Sequence, residues 1–257
     1  MTTTHEENSA YFDEIAGHYE QVDTGSFLLR QYSEIHSLFN LLGDITGKSI
    51  LELSCSDGFF TRKLKQKGAA RVVGVDLSEK MIELGKREEA KNPLGIEYIA
   101  RDVFKLGCIG SFDLVVTPFM LNYARTKEEL LEMCQIIHAN LKPTGRFVSM
   151  NDHPQLQLVS GFEKYGKTKS FSQPLRDGMP ITVTLIIQPE NAEHQTVTFD
   201  SYYFNQVTFE WALESAKFTK VCWHQPEISP LGIQKFGQEF WQDFLDNPSI
   251  VLFECSK

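Results

Sequence analysis

Glu52, Ser54, Ser56 and Gly58 lie within one seven-residue stretch, Glu52-Leu53-Ser54-Cys55-Ser56-Asp57-Gly58, and a further acid, Asp76, closes the next apolar run. An acid, a tight turn of small residues, a helix and a second acid at a strand end are the parts needed to hold a nucleoside-bearing cofactor. The turn lets the backbone approach the ligand, and a carboxylate at the second strand end accepts from both hydroxyls of a ribose. Gly58 lets the turn pack closely on the helix that follows.

These residues need elements that bring strand ends together along one edge. Residues 49–53 read as a buried strand, 60–67 as a helix ending near Gly68, and 71–75 as the next strand. Ser78 is placed to cap a helix over 79–92 whose Met81, Ile82 and Leu84 face inward. Strands follow at 96–100 and 112–117, then an amphipathic helix over 127–141 with Leu130, Leu131, Cys134, Ile137 and Leu141 at helical spacing. Lys142-Pro143-Thr144-Gly145 reads as a turn before a strand at 146–150. Repeated strand–helix units of this length predict an α/β, Rossmann-like, doubly wound, seven-stranded and mostly parallel sheet.

Beyond residue 150 the pattern changes. Residues 181–187 and 196–204 are β-rich runs joined by a polar stretch, which predicts an antiparallel β-hairpin inserted at about 154–206. A helix over 209–217 and strands at 221–224 and 250–255 restore the α/β pattern. The amphipathic segment 9–40 is expected to form an N-terminal helical lid, so the chain 1–257 reads as one domain with a lid and a cap.

Bulk composition narrows the function classes. Net charge is -9 with no long basic run, which argues against a nucleic-acid partner. No apolar run is long enough to span a bilayer, and the first residues lack a basic and apolar leader, so a cytoplasmic location is expected. Cys55, Cys108, Cys134, Cys222 and Cys255 are far apart and fit reduced thiols; neither they nor His5, His36, His138 and His224 show metal-ligand spacing.

The chain resembles the class I S-adenosylmethionine-dependent methyltransferases. The family's first motif, acid-x-Gly-x-Gly-x-Gly, matches Glu52 to Gly58 with Ser54 and Ser56 at the first two glycine positions. Asp76 matches the acid ending the second strand, and Asp102 in Ala100-Arg101-Asp102-Val103 matches the acid near the adenine amino group. Phe112 to Val116, the loop from Thr117 to Tyr123, and Leu141-Lys142-Pro143-Thr144-Gly145 match later motifs. The stretch Tyr11 to Tyr19 is similar to a lid motif of small-molecule methyltransferases, and Phe236 to Pro248 with the hairpin is similar to the toxoflavin-synthase-like branch.

That resemblance implies S-adenosylmethionine as cofactor, with Tyr19, Arg30, Glu52, Ser54, Ser56, Gly58, Asp76, Leu77, Asp102, Val103 and Thr117 around it. It implies methyl transfer to a small-molecule acceptor, at a ring or amine nitrogen of a heterocyclic or secondary metabolite, by a monomer or weak homodimer. Methyl transfer is an in-line displacement in which alignment and exclusion of water matter most. His153 after the fifth strand and Tyr123 after the fourth are the expected catalytic or acceptor-binding groups, with Asn122, Asn151 and Asp152 beside them. Tyr165, Tyr202 and Tyr203 either wall a substrate pocket or pack the hairpin. Three alternatives stand beside this one: a cofactor-binding protein of the same fold without turnover, an O-methyltransferase, and a nicotinamide-dependent dehydrogenase built on the same strand–turn–helix unit.

Overall fold

Apolar runs that are hydrophobic at every position, rather than at alternate ones, set the architecture. A computed structural model of the chain describes residues 11–14, 27–187 and 195–257. Its strands, in chain order, are β1 (Ser49–Leu53), β2 (Arg71–Asp76), β3 (Glu97–Ala100), β4 (Phe112–Pro118), β5 (Leu141–Asp152), β6 (Lys167–Ser170), β7 (Pro180–Ile187), β8 (Gln195–Tyr202), β9 (Thr219–His224) and β10 (Ile250–Ser256). The α-helices are α1 (Ile35–Leu42), α2 (Phe59–Gln66), α3 (Glu79–Lys91), α4 (Lys127–Ala139), α5 (Gln206–Ser215), α6 (Pro230–Phe236) and α7 (Gln238–Asp246), and a π-helix, Arg30–Glu34, runs into α1.

Seven strands form one sheet in the order β3-β2-β1-β4-β5-β10-β9. The contacts among β1 to β5 are parallel, and β10 runs antiparallel to both β5 and β9. Both faces are covered, as continuous apolar strands require. Ile50, Val72, Leu114 and Val148 join the core on one side. Leu51, Val73, Val115 and Phe147 join the core on the other. Strand order reverses direction between β1 and β4, which opens a crevice at the carboxyl ends of these strands. Among the described residues no helix is long and apolar enough to cross a membrane.

Two local expectations are corrected. Lys142–Gly145 forms no separate turn but lies inside β5 as a wide bulge: Phe112 pairs with Leu141, and the next aligned pair is Leu114 with Arg146. Lys142 Nζ reaches Asp113 at 2.9 Å, and Asp113 also accepts from the backbone N–H and hydroxyl of Ser49. The lysine bridge and the two serine bonds hold that carboxyl well below the usual carboxylate range.

The inserted hairpin β7–β8 gains a third strand, β6, to make a separate antiparallel sheet. Phe236 to Pro248, marked in the sequence only by the family likeness, lie largely in α7, which packs against the insertion. Tyr165 stacks on Trp241 with ring centroids 5.4 Å apart and donates its hydroxyl to the Phe240 carbonyl at 2.7 Å. Tyr203 donates to the Pro154 carbonyl, and Tyr202 lies beside Arg125. None of these three tyrosines lines the crevice, so they pack the insertion.

Candidate functional site

The turn after β1 follows from its backbone. Ser54 and Ser56 take φ of 61° and 53°, and Gly58 takes 89°. The serines occupy the left-handed region that the family fills with glycine, at a strain of about 1–2 kcal/mol each. Cys55 N–H donates to the Val75 carbonyl at 3.0 Å, and Ser56 N–H donates to Asp76 Oδ2 at 2.8 Å. The turn is thereby clamped to the end of β2. A Cβ on Gly58 would stand 2.2 Å from the Tyr98 hydroxyl, so only glycine fits there.

Asp76 receives Ser56 N–H on one oxygen and Ser78 N–H on the other, at 2.8 and 2.9 Å. Burial pushes its carboxyl up, backbone N–H groups pull it down, and Asp13 adds to the rise. Asp13 is held at the start of α3 by the Ser78 hydroxyl and Lys80 N–H. Residues 11–14 thus dock beside Asp76. Tyr11 donates to the Thr198 carbonyl, and the Phe12 ring meets Tyr123 edge-on at 5.6 Å. Of residues 11–14, Phe12 lines the crevice.

Glu52 ends the polar floor. It is buried, accepts from the Thr61 hydroxyl at 2.6 Å, and burial raises its pKa to about 8. Asp57 and Asp76 add to that rise. Asp102 caps a short turn by accepting from Phe104 N–H at 3.0 Å. Arg101 N–H donates to the Asp76 carbonyl at 2.8 Å, which brings Asp102 to the same edge.

One cleft of about 160 Å³ gathers most of the residues singled out from sequence. Arg30, Glu52, Ser54, Ser56, Asp76, Leu77, Asp102, Val103 and Tyr123 line it, together with Asn122 and Asp152. Gly58 lies behind the turn and outside the lining. Thr117 is buried in the sheet, bonded to the Ser149 hydroxyl at 2.8 Å. Tyr19 falls outside the described residues.

His153 does not reach the cleft. Its Nδ1 accepts from Gln155 N–H at 3.0 Å, and burial together with Lys169 lowers its pKa. The residue that β5 presents to the cleft is Asp152, its last; His153 lies just past the strand end, where its N–H donates to the Ser249 carbonyl at 3.2 Å. Asp152 accepts from Ser201 at 2.8 Å and pairs with Lys169. Burial alone would raise its carboxyl, but the charges of Lys169 and Lys167 outweigh it and hold the pKa below the usual value. Burial pushes Lys169 down to about 8.

Sequence reasoning did not single out Phe119 or Lys167, and Ser201, which reads in sequence as part of the hairpin's polar face, is buried; all three line the cleft. Phe119 carried a detectable signal, since it sits in the loop after β4 that the family motif marks. Its φ is 65°, rare for a bulky residue, and Met150 holds it by accepting its N–H at 2.6 Å.

The arrangement has two ends. Glu52, Asp57, Asp76 and Asp102 supply hydrogen-bond acceptors over the ends of β1 to β3. Aromatic rings and the Asp152–Ser201 pair lie over β4 and β5. An acceptor-rich wall of this kind fits a donor-rich nucleoside with a diol, an exocyclic amine and a cationic tail. Among the described residues no group of His, Cys, Asp and Glu is arranged to hold a metal ion.

Comparisons with known proteins agree on one domain type. Residues 50–145 match the methyltransferase domain family. The demethylmenaquinone methyltransferase of Lactococcus lactis is 35% identical over 150 residues, covering 53% of this chain and 58% of that protein. The N-demethylindolmycin N-methyltransferase of Streptomyces griseus is 26% identical over 175 residues, covering 67% of this chain and 70% of that one. The alignment with the Lactococcus protein thus spans under two thirds of that protein's length. Among solved structures, the CcbJ methyltransferase of Streptomyces caelestis superposes with a TM-score of 0.67 at 17% identity, covering 96% of this chain and 97% of that one, which shows a shared fold.

Proposed function

We propose that the chain is an S-adenosylmethionine-dependent methyltransferase acting on a small molecule, at a ring or amine nitrogen. The observation that carries it is the acceptor-rich wall at the ends of β1 to β3, centred on Asp76 and its clamp to the serine turn. The methyltransferase domain match over 50–145 covers the same elements. Nitrogen as the methylated atom is supported by the named N-methyltransferase relative and by the likeness to the toxoflavin-synthase-like branch.

When bound, the cofactor supplies an electrophilic methyl group on a sulfonium. The protein's own residues do the rest. Asp76 takes the ribose hydroxyls, Asp102 the adenine amine, and Leu77 and Val103 flank the base. Ser54 and Ser56 let the backbone approach the amino-acid end, where Glu52 meets the ammonium and Arg30 the carboxylate. Asp152 and Ser201 hold an acceptor N–H, which orients the nitrogen lone pair, while Tyr123 and the lid ring Phe12 exclude water. With its pKa held low, Asp152 serves as hydrogen-bond acceptor rather than strong base. The segment 9–40 acts as lid and 154–206 as acceptor cap, in a cytoplasmic enzyme that works as a monomer or weak homodimer.

Calorimetric titration with S-adenosylhomocysteine tests the first half: a single site per chain is expected, and no binding to folded protein would refute it. Incubation with methyl-labelled cofactor and a panel of nitrogen heterocycles tests turnover, with enzyme-dependent labelled product as the expected result.

A further inference from the structure

Lys167 and Lys169 stand two apart on β6, so both point to the same face of the cap sheet. Both are buried, and their surroundings differ. Lys169 Nζ pairs with Asp152 and donates to the Ser249 carbonyl at 2.6 Å. Lys167, only 5% exposed, donates no hydrogen bond through Nζ to any described residue. Its ion-pair neighbour is Glu34 at 3.7 Å, beyond hydrogen-bond range and shared with Arg30 at the same distance. The charge of Asp152 also acts on Lys167, and the Phe119 ring centroid lies 4.1 Å away.

Glu34 is itself wholly buried, and neither of its oxygens has a hydrogen-bond partner among the described residues. It balances the lysine's charge from behind without taking up its N–H groups. An ammonium whose N–H groups find no protein acceptor takes its partner from solvent or from a ligand. Lys167 lines the cleft, so that partner enters from the cleft.

We infer that Lys167 anchors an acceptor subsite for a planar molecule that carries a delocalised oxygen anion such as a carboxylate. This deepens the methyl-transfer proposal and rests on it. Position separates the subsite from the nucleoside wall: Phe119 follows β4 and Asp152 ends β5, one and two strands beyond β1. At roughly 4.8 Å per strand, that is about 5–10 Å past the serine turn. Planarity follows from the walls. The Phe119 ring lies 4.1 Å from Lys167 Nζ, and Phe12 packs on both Tyr123 and Phe199, at 5.6 and 6.1 Å, so aromatic rings bound this end. The Asp152–Ser201 pair lines the same end, so one flat acceptor bearing an N–H and a carboxylate engages both.

The test titrates the wild-type complex with S-adenosylhomocysteine against anthranilate, indole-2-carboxylate and 2-naphthoate, each beside its neutral amide. At least one acid is expected to bind about 10-fold or more tightly than its amide. In Lys167→Met that preference is expected to vanish while S-adenosylhomocysteine affinity stays within about twofold. If Lys167→Met does not fold, Lys167→Gln gives the same comparison, because it removes the charge and keeps a donor. No acid preferred over its amide, or a preference that survives the substitution, overturns the subsite. A 10-fold loss of S-adenosylhomocysteine affinity in the variant also overturns it, since Lys167 then holds the cofactor carboxylate. Wild-type protein that fails to bind S-adenosylhomocysteine refutes the methyl-transfer proposal instead, which separates the two failures.

Discussion

The backbone N–H of Ser56 donates to Asp76 Oδ2 at 2.8 Å, so the turn after the first strand and the acid ending the second are one unit. With backbone N–H groups of Ser56, Ser78 and Leu77 on it, the Asp76 carboxylate keeps about one of its roughly four acceptor sites for a further donor. The same interaction therefore shapes the turn and orients the group proposed to bind the sugar.

Asp76→Asn keeps one acceptor oxygen for the clamp and removes the charge. The expected result is a loss of about 10- to 100-fold in S-adenosylhomocysteine affinity, in line with a charged hydrogen bond. Calorimetry on protein with an unchanged circular-dichroism melt checks it.

Ser54→Gly and Ser56→Gly relieve left-handed strain at φ 61° and 53°. Strain relief of about 1–2 kcal/mol is offset by the chain entropy of glycine, about 0.5–1 kcal/mol. Each variant is expected to gain up to about 1 kcal/mol, read as a melting rise of about 2–4 °C. S-adenosylhomocysteine affinity is expected to hold; a tenfold loss would show that the hydroxyl binds the ligand.

Gly58→Ala drives a Cβ to 2.2 Å from the Tyr98 hydroxyl at a φ of 89°. Overpacking together with left-handed strain is expected to lower stability by about 2–4 kcal/mol in urea unfolding. Tyr98→Phe removes a buried hydroxyl with no hydrogen-bond partner among the described residues, so by itself it is expected to be neutral or stabilising.

Glu52 gives a pH signature. Burial raises its pKa from 4.5 to about 8, so between these values the folded protein binds more protons than the unfolded chain. Stability is then full below pH 4.5 and falls as pH rises toward 8, by up to about 1.4 kcal/mol per pH unit from this group. Glu52→Gln is expected to flatten the slope of melting temperature against pH across that window. In the proposed complex the ligand's ammonium favours ionised Glu52, so binding near pH 7 releases up to one proton. Calorimetry in buffers of different ionisation enthalpy reads that release directly.

The half of the fold that holds the proposed donor site was legible because its signals are local. Apolar runs, the Ser78 cap and Asp76 each announce themselves within a few residues, and β1 to β4 fall within a residue or so of their expected bounds. Lys142-Pro143-Thr144-Gly145 has the composition of a turn, yet pairing with β4 and the Asp113 bridge draw it into a strand. Strand β6 escaped notice because Lys167-Thr168-Lys169-Ser170 contains no apolar residue; distant carboxylates, Glu34 and Asp152, accompany it into the interior. His153 and Asp152 show the finest limit. Asp152 is the last residue of β5 and His153 the first beyond it, and composition does not fix where a strand ends.

The small sheet β6–β8 leaves the large one after β5 and returns before α5 without separating any of its strands. Such an attachment leaves the pairing of the large sheet intact, while Asp152 with Lys169 and Ser201 binds the small sheet to it and Tyr165 on Trp241 binds the insertion to α7.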